Sequence, residues 1–158
     1  NFIAHGYANF KKMPVTYGLI RNHYVGRTFI KPEQKIRDES ARQKFNTLAH
    51  LFKDKVVVLI DDSIVRGTTI RSIIKLIIDA GAKEVHLRIG SPQVKFPCYY
   101  GIDTPTKEEL IANVKTSQEI CDYLNIQSLK HIEIDRLRKS VSKPDNYCYA
   151  CFDGKYPI

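Results

Sequence analysis

Two adjacent carboxylates, Asp61 and Asp62, close the short apolar run Val56-Val-Val-Leu-Ile60, and Ser63-Ile-Val-Arg-Gly-Thr-Thr69 follows directly. Acids do not bind phosphate, but they accept hydrogen bonds from sugar hydroxyls or hold Mg²⁺, directly or through water. The residues after them suit the opposite task. Gly67 lets the backbone approach a ligand closely, Ser63, Thr68 and Thr69 bring hydroxyl donors, and a helix N-terminus aims free N–H groups at an anion. Acids followed by an anion cradle point to a sugar 5-phosphate with free ribose hydroxyls. The loop lacks the Gly-x-x-x-x-Gly-Lys-Ser/Thr of a P-loop and the three glycines of a dinucleotide fingerprint. A second set of residues is Cys98, Cys121, Cys148 and Cys151, of which the last two form a C-x-x-C pair suited to metal, cluster or redox chemistry. Four unevenly spaced cysteines do not make a disulfide scaffold, and a reducing compartment is expected.

The elements that must position the acids are clear from periodicity. Val56–Ile60 has the continuous apolar pattern of a strand buried on both faces of a parallel sheet. Ile70, Ile73, Ile74, Ile77 and Ile78 recur on one face of an amphipathic helix. Gly81 suits a left-handed helix end, and Glu84–Ile89 alternates as a strand. The unit from Lys55 to Ile89 is therefore βαβ, with a right-handed crossover expected. In an open α/β sheet ligands sit beyond the carboxyl ends of the strands, which is where Asp61 and Asp62 fall.

Flanking signals are softer. Val15–Ile20 reads as a strand, and Arg21–Pro32 has no clean periodicity. Gln34–Phe52, carrying Ile36, Ala41, Phe45, Leu48, Ala49 and Phe52, reads as a helix. Thr106-Lys-Glu-Glu109 has the form of a capping box and predicts a helix start. Ser117–Leu124 predicts a helix holding Cys121 as a buried free thiol. His131–Ile134 reads as a late strand, with Asp135 capping a short basic helix, and the tail from Val141 reads as a loop.

The 158 residues, 43% hydrophobic and 27% charged, suit one domain with a core. Disorder is excluded by the isoleucine-rich runs, and a membrane helix by the lack of any apolar stretch of about 18 residues. The N-terminus Asn-Phe-Ile-Ala has no signal-peptide pattern, and the chain reads as a piece of something longer. A net charge of +8 implies an anionic partner. With no basic arm and no aromatic–Arg–Gly run, a phosphorylated metabolite is favoured over nucleic acid.

The stretch Val57-Val-Leu-Ile-Asp-Asp-Ser-Ile-Val-Arg-Gly-Thr-Thr69 resembles the phosphoribosyl pyrophosphate (PRPP) motif of type I phosphoribosyltransferases. Its Ser-Ile-Val-Arg-Gly version resembles the glutamine-dependent amidotransferase branch of that family. Asn22–Ile30, Phe96–Asp103, Thr106–Asn113 and Cys148–Pro157 resemble the same branch, in order along nearly the whole chain. The resemblance implies an α/β fold with a mainly parallel central sheet flanked by helices and a flexible lid loop. Residues 1–140 would form a transferase domain lacking its first strand, and 141–158 a cysteine-containing segment packed on it. It further implies an amidophosphoribosyltransferase of purine biosynthesis, in which ammonia from a glutaminase domain outside this chain displaces pyrophosphate from PRPP.

By that resemblance Asp61 and Asp62 bind the ribose hydroxyls and Mg²⁺, while Ser63, Ile64, Val65, Arg66, Gly67, Thr68 and Thr69 wrap the 5-phosphate. Arg21 supplies a cation for pyrophosphate, and Tyr24, Arg27 and Thr28 belong to a lid that excludes water. Arg21-Asn22-His23 and Lys31 depart from the family pattern of Lys-Asn-Arg and Gln. Cys98, Cys148 and Cys151 fall at three of the four ligand positions of a 4Fe-4S cluster whose fourth ligand lies upstream, zinc or free thiols being the alternatives. The resemblance also suggests a homotetramer regulated by purine nucleotides, cytoplasmic, with no membrane or nucleic-acid partner. The fragment by itself is expected to use at most free ammonia. Rival readings are a nucleobase or orotate phosphoribosyltransferase, and a PRPP-sensing regulator that binds nucleic acid. For His5, His50, His86 and His131 ordinary surface or core positions are expected.

Overall fold

Two periodicities build the core of the computed structural model, which describes residues 1–22, 45–102, 104 and 106–157. The elements are α1 (Phe2–Lys11), β1 (Leu19–Arg21), β2 (Phe45–Thr47), β3 (Val56–Asp61), α2 (Thr68–Asp79) and β4 (Glu84–Ile89), followed by α3 (Ile111–Val114), α4 (Ser117–Leu124), β5 (Ser128–His131), α5 (Ile134–Lys139) and α6 (Ala150–Asp153). Alternation in β4 turns Val85, Leu87 and Ile89 to one face, each no more than 4% exposed. The 3.6-residue period of α2 sets Ile70, Ile73, Ile74 and Ile77 against them. Ile120, Cys121 and Leu124 of α4 complete the cluster. Cys121 is buried there, as expected.

The three strands β3, β4 and β5 form a parallel sheet in that order. Asp61 pairs with Ile89, and Ile89 with His131, so all three strands end together at one edge. The βαβ unit is as expected, and Gly81 has φ +93° beyond the helix end. β3 differs from expectation: it is half-exposed, not buried on both faces, because among the described residues it pairs only with β4.

Several flanking elements also differ. Of the strand expected over 15–20, only Leu19–Arg21 pairs, antiparallel to Phe45–Thr47. Phe45–Phe52 is not helical: it forms β2 and a 3₁₀ turn at Ala49–Leu51, and the rest of the expected helix lies outside the described residues. Phe45, Leu48 and Phe52 keep helical spacing, but Phe45 packs on the core from an extended strand. Thr106 opens only a 3₁₀ turn, Lys107–Glu109, and makes no capping bond with its side chain. The capping box instead stands at Thr116 and Glu119, where Glu119 N–H donates to Thr116 Oγ1 at 3.3 Å and Thr116 N–H to Glu119 Oε2 at 2.7 Å. The last strand is Ser128–His131, and α5 starts after Glu133 with Asp135 in its first turn. The tail is no mere loop, since it carries a 3₁₀ turn at Pro144–Asn146 and α6. α1 has no counterpart in the sequence reading; it seats Ile3 against Gly90 at the edge where the strands end.

His131 closes β5 in an unusual state. Its Nδ1–H donates to the Ser91 carbonyl at 3.3 Å, which leaves Nε2 as a buried acceptor without a partner among the described residues. Protonating Nε2 would bury a cation, so burial holds its pKa below the ordinary 6.5. Below that value the unfolded chain binds the proton and the folded chain resists it. Stability contributed by the neutral ring is therefore complete above 6.5 and is lost as the pH falls from there to the folded-state value. Urea unfolding across about pH 5 to 7.5 should show this acid-side loss, and His131→Asn, which keeps the donor to Ser91, should flatten it.

Candidate phosphate-binding site

At the end of β3 the chain turns away under local control. Gly90 N–H donates to Asp61 O at 3.0 Å, continuing the parallel ladder one residue past the strand. Asp62 N–H donates to Asp61 Oδ1 at 3.0 Å, and Ser63 N–H to Asp62 Oδ1 at 2.7 Å. Each carboxylate thus caps the next residue and both stay side by side at the sheet edge. Asp61 is half-buried and Asp62 exposed. Burial first, and then the neighbouring Asp62 charge, push the Asp61 carboxyl above its ordinary 3.8. A cation or a set of hydroxyl donors at this edge relieves both effects.

The loop beyond is anchored by Ile64, 3% exposed. Gly67 has φ +78° and precedes the first residue of α2. Arg71 N–H makes the first helical bond, to Gly67 O at 3.0 Å, so the N–H groups of Thr68, Thr69 and Ile70 have no intrahelical acceptor. They point out of a 12-residue helix whose first turn holds no acid. Donors without an acceptor among the described residues, at the positive end of a helix dipole, are suited to an anion.

A Cβ on Gly67 would meet Ile111 Cδ1 at 2.7 Å and Tyr123 Cε1 at 3.6 Å. Ile111 N–H also donates to Val65 O at 3.0 Å, and Arg66 Nε–H donates to Glu109 Oε2 at 2.7 Å. Tyr123 is itself capped by Arg71, with the guanidinium 4.6 Å from the ring centre. Glu109, Ile111 and Tyr123 escaped the sequence reading. Glu109 and Ile111 fall in Thr106–Asn113, which resembles the family but gives them no role, and the Thr-x-x-Glu spacing points to a cap, whereas Glu109 crosses to the loop.

The other expected site residues are placed less centrally. Arg21 ends β1, exposed, in register with Phe45. Tyr24, Arg27, Thr28 and the lid lie outside the described residues, as do His23 and Lys31. Burial first, then the charges of the Cys148 and Cys98 thiols, push the Cys151 thiol above its ordinary 9.0. Cys151 O accepts from Lys95 and Phe96 N–H at 2.9 and 3.1 Å, and Cys98 Sγ accepts from Tyr100 N–H at 3.4 Å. Among the described residues no group of three or more His, Cys, Asp or Glu is arranged to hold a metal ion. A cavity of about 540 Å³ runs along β3 beneath α1, but its lining stops at Ile60, short of the acids.

The phosphoribosyl transferase domain family matches residues 13–89, the span that includes β3, the loop and β4. Amidophosphoribosyltransferase 1, chloroplastic, of Arabidopsis thaliana is 49% identical over 156 residues, which is 98% of this chain and 28% of that protein. The amidophosphoribosyltransferase of Archaeoglobus fulgidus is 48% identical over 158 residues, 98% of this chain and 35% of its own length. The glutamine PRPP amidotransferase of B. subtilis, solved with ADP and GMP, superposes with a TM-score of 0.82 at 44% identity, over 98% of this chain and 35% of that one. The chain spans about a third of the length of these relatives. The fold is that of a type I phosphoribosyltransferase. Over 98% of its length the chain is similar to the amidophosphoribosyltransferases, at 44–49% identity to the three named here.

The close packing on Gly67 makes a direct test. Gly67→Ala should cost about 1–3 kcal/mol in urea unfolding, from the left-handed backbone and the contact with buried Ile111. Adding Ile111→Val should recover the steric part alone.

Proposed function

We propose that this chain is the phosphoribosyl-transferring part of an amidophosphoribosyltransferase, converting PRPP and ammonia to 5-phosphoribosylamine and pyrophosphate at the first committed step of purine biosynthesis. The observation that carries the reading is the juxtaposition of Asp61 and Asp62 with a donor-rich loop and helix start, in a chain 49% identical to a named member of the family. In the reaction the ammonia lone pair forms the bond to ribose C1 as the C1–O bond breaks. Pyrophosphate leaves with the bonding pair, and the new ammonium loses one proton.

Asp61 and Asp62 accept the ribose 2- and 3-hydroxyls and so orient C1. The N–H groups of Thr68, Thr69 and Ile70 and the hydroxyls of Ser63, Thr68 and Thr69 hold the 5-phosphate, the Ser63 hydroxyl turning from Asp62 Oδ1, 3.4 Å away, to do so. Arg21 and the lid residues Tyr24, Arg27 and Thr28 take the pyrophosphate side and exclude water, the competing nucleophile. Asp61 and Asp62 would also hold Mg²⁺, which would supply charge neutralisation of the leaving group. The ion is usually held by one or two carboxylates together with substrate phosphates, which an adjacent acid pair fits and a closed protein cage is not needed for.

The proposal also assigns residues 1–140 to the transferase unit and 141–158 to a segment packed on it. The backbone bonds from Lys95 and Phe96 to Cys151 O, and from Tyr156 Oη–H to Pro97 O at 2.7 Å, support that division. Cys98, Cys148 and Cys151 are assigned as three ligands of a 4Fe-4S cluster, with the fourth outside this chain; the C-x-x-C spacing of Cys148 and Cys151, and the bonds that hold Cys151 O against the backbone just before Cys98, support it. Held by these thiolates, a cluster would tie the tail covalently to the loop at Cys98. Ammonia from a glutaminase domain of the same protein, a homotetramer and a cytoplasmic setting complete the reading; the plant relatives are named chloroplastic. No described helix is long and apolar enough to cross a membrane.

Asp61→Asn combined with Asp62→Asn should lower Mg²⁺-dependent PRPP affinity by roughly 100-fold in calorimetry while leaving the unfolding midpoint near wild type. Unchanged affinity would overturn the role of the acids. Cys148→Ser in anaerobically purified full-length protein should abolish broad iron–sulfur absorption. Retained absorption would remove Cys148 from the ligand set.

A further inference from the structure

The phosphate loop is tied down at three consecutive residues by one short segment. Val65 O accepts from Ile111 N–H at 3.0 Å, the Arg66 side chain is bonded to Glu109 at 2.7 Å, and Gly67 lies under Ile111. Residues 109 and 111 are more than forty positions away in sequence, so these ties are tertiary. Two of them are backbone or apolar contacts that many side chains could support. The Arg66–Glu109 pair depends on two particular side chains.

That pair has little value as a stability device. Its side chains are 43% and 51% exposed, and solvent screening leaves a pair of that kind little net attraction. Its geometric effect is larger. Arg66 immediately precedes Gly67, the left-handed residue that sets the direction of α2 and its free N–H groups. A guanidinium released from Glu109 would be a mobile cation beside an anion cradle, free to pull phosphate away from the backbone donors.

We propose that Glu109 is a positioning residue: it holds Arg66 away from the cradle and thereby sets the loop in the shape that grips the 5-phosphate. The inference rests on the PRPP reading above for its ligand, but not for the mechanical role of the pair. Glu109 itself touches no substrate. It acts through Arg66, whose charge then serves the loop's shape instead of pairing with phosphate.

The test uses the full-length protein as wild type, E109A, E109Q, R66A and the R66A/E109A double variant. Two readouts are taken: amide hydrogen exchange of the peptide spanning residues 62–72, and KM and kcat for PRPP with ammonia as acceptor. E109A and E109Q should speed loop exchange and raise KM roughly tenfold with kcat changed less than about twofold. The double variant should be no worse than R66A, because both changes break one interaction. Wild-type exchange and KM in E109A would overturn the proposal. So would effects that multiply in the double variant, or a lower KM in E109A, which would mean that freed Arg66 binds phosphate. If wild type fails to consume PRPP while E109A still loosens the loop, the functional reading falls and the positioning role stands.

Discussion

Two like charges held side by side at the edge of an apolar sheet are the constraint around which this structure is organised. Asp61 is delivered there by the parallel register of β3 on β4, and Asp62 is kept beside it by hydrogen bonds that each acid makes to the next residue's N–H. The arrangement raises the Asp61 pKa through burial and through the Asp62 charge. An electrostatic cost of this kind is offset only when donors or a cation complete the site. The same turn then reverses polarity within a few residues, ending at the start of α2 in N–H groups that have no intrahelical acceptor. Acceptors and donors side by side describe a ligand with hydroxyls at one end and an anion at the other.

Rigidity at this point comes from outside the βαβ unit. The core beneath the loop, Ile64, Ile70, Ile73 and Ile74, fixes where α2 begins. The segment from Glu109 to Ile111 and Tyr123 of α4 fix how the loop leaves β3. That segment continues from the stretch carrying Cys98, whose neighbours Lys95 and Phe96 are bonded to Cys151 O. The loop, the cysteines and the C-terminal tail are thus one connected body, with Asn113 bridging Lys95 O and Lys107 O at 2.6 and 3.1 Å.

The parts legible in sequence were those where a single period dominates. Alternation in Glu84–Ile89 and the isoleucine repeat of α2 each have one structural solution, and the loop between β3 and α2 carries its chemistry in consecutive residues. Elsewhere two solutions compete. Phe45, Leu48, Ala49 and Phe52 have helical spacing, yet pairing with Leu19–Arg21 makes a strand of Phe45–Thr47. Thr106 and Thr116 open identical Thr-x-x-Glu patterns, and only the second becomes a capping box because Glu109 is taken by Arg66. α1 leaves no amphipathic trace: Phe2 and Phe10 are 94% and 82% exposed while Ala8 is buried. Partners distant in sequence decide all three cases, and local spacing carries no record of them.

The central claim is that this site activates C1 of PRPP toward ammonia. Its most direct test is pyrophosphate release from PRPP and Mg²⁺ by the full-length protein, run with glutamine, with ammonia, with a panel of nucleobases and orotate, and with no acceptor. The account predicts release with both glutamine and ammonia and none with the bases. Release that requires a base, or tight PRPP binding with no release under any condition, would contradict it.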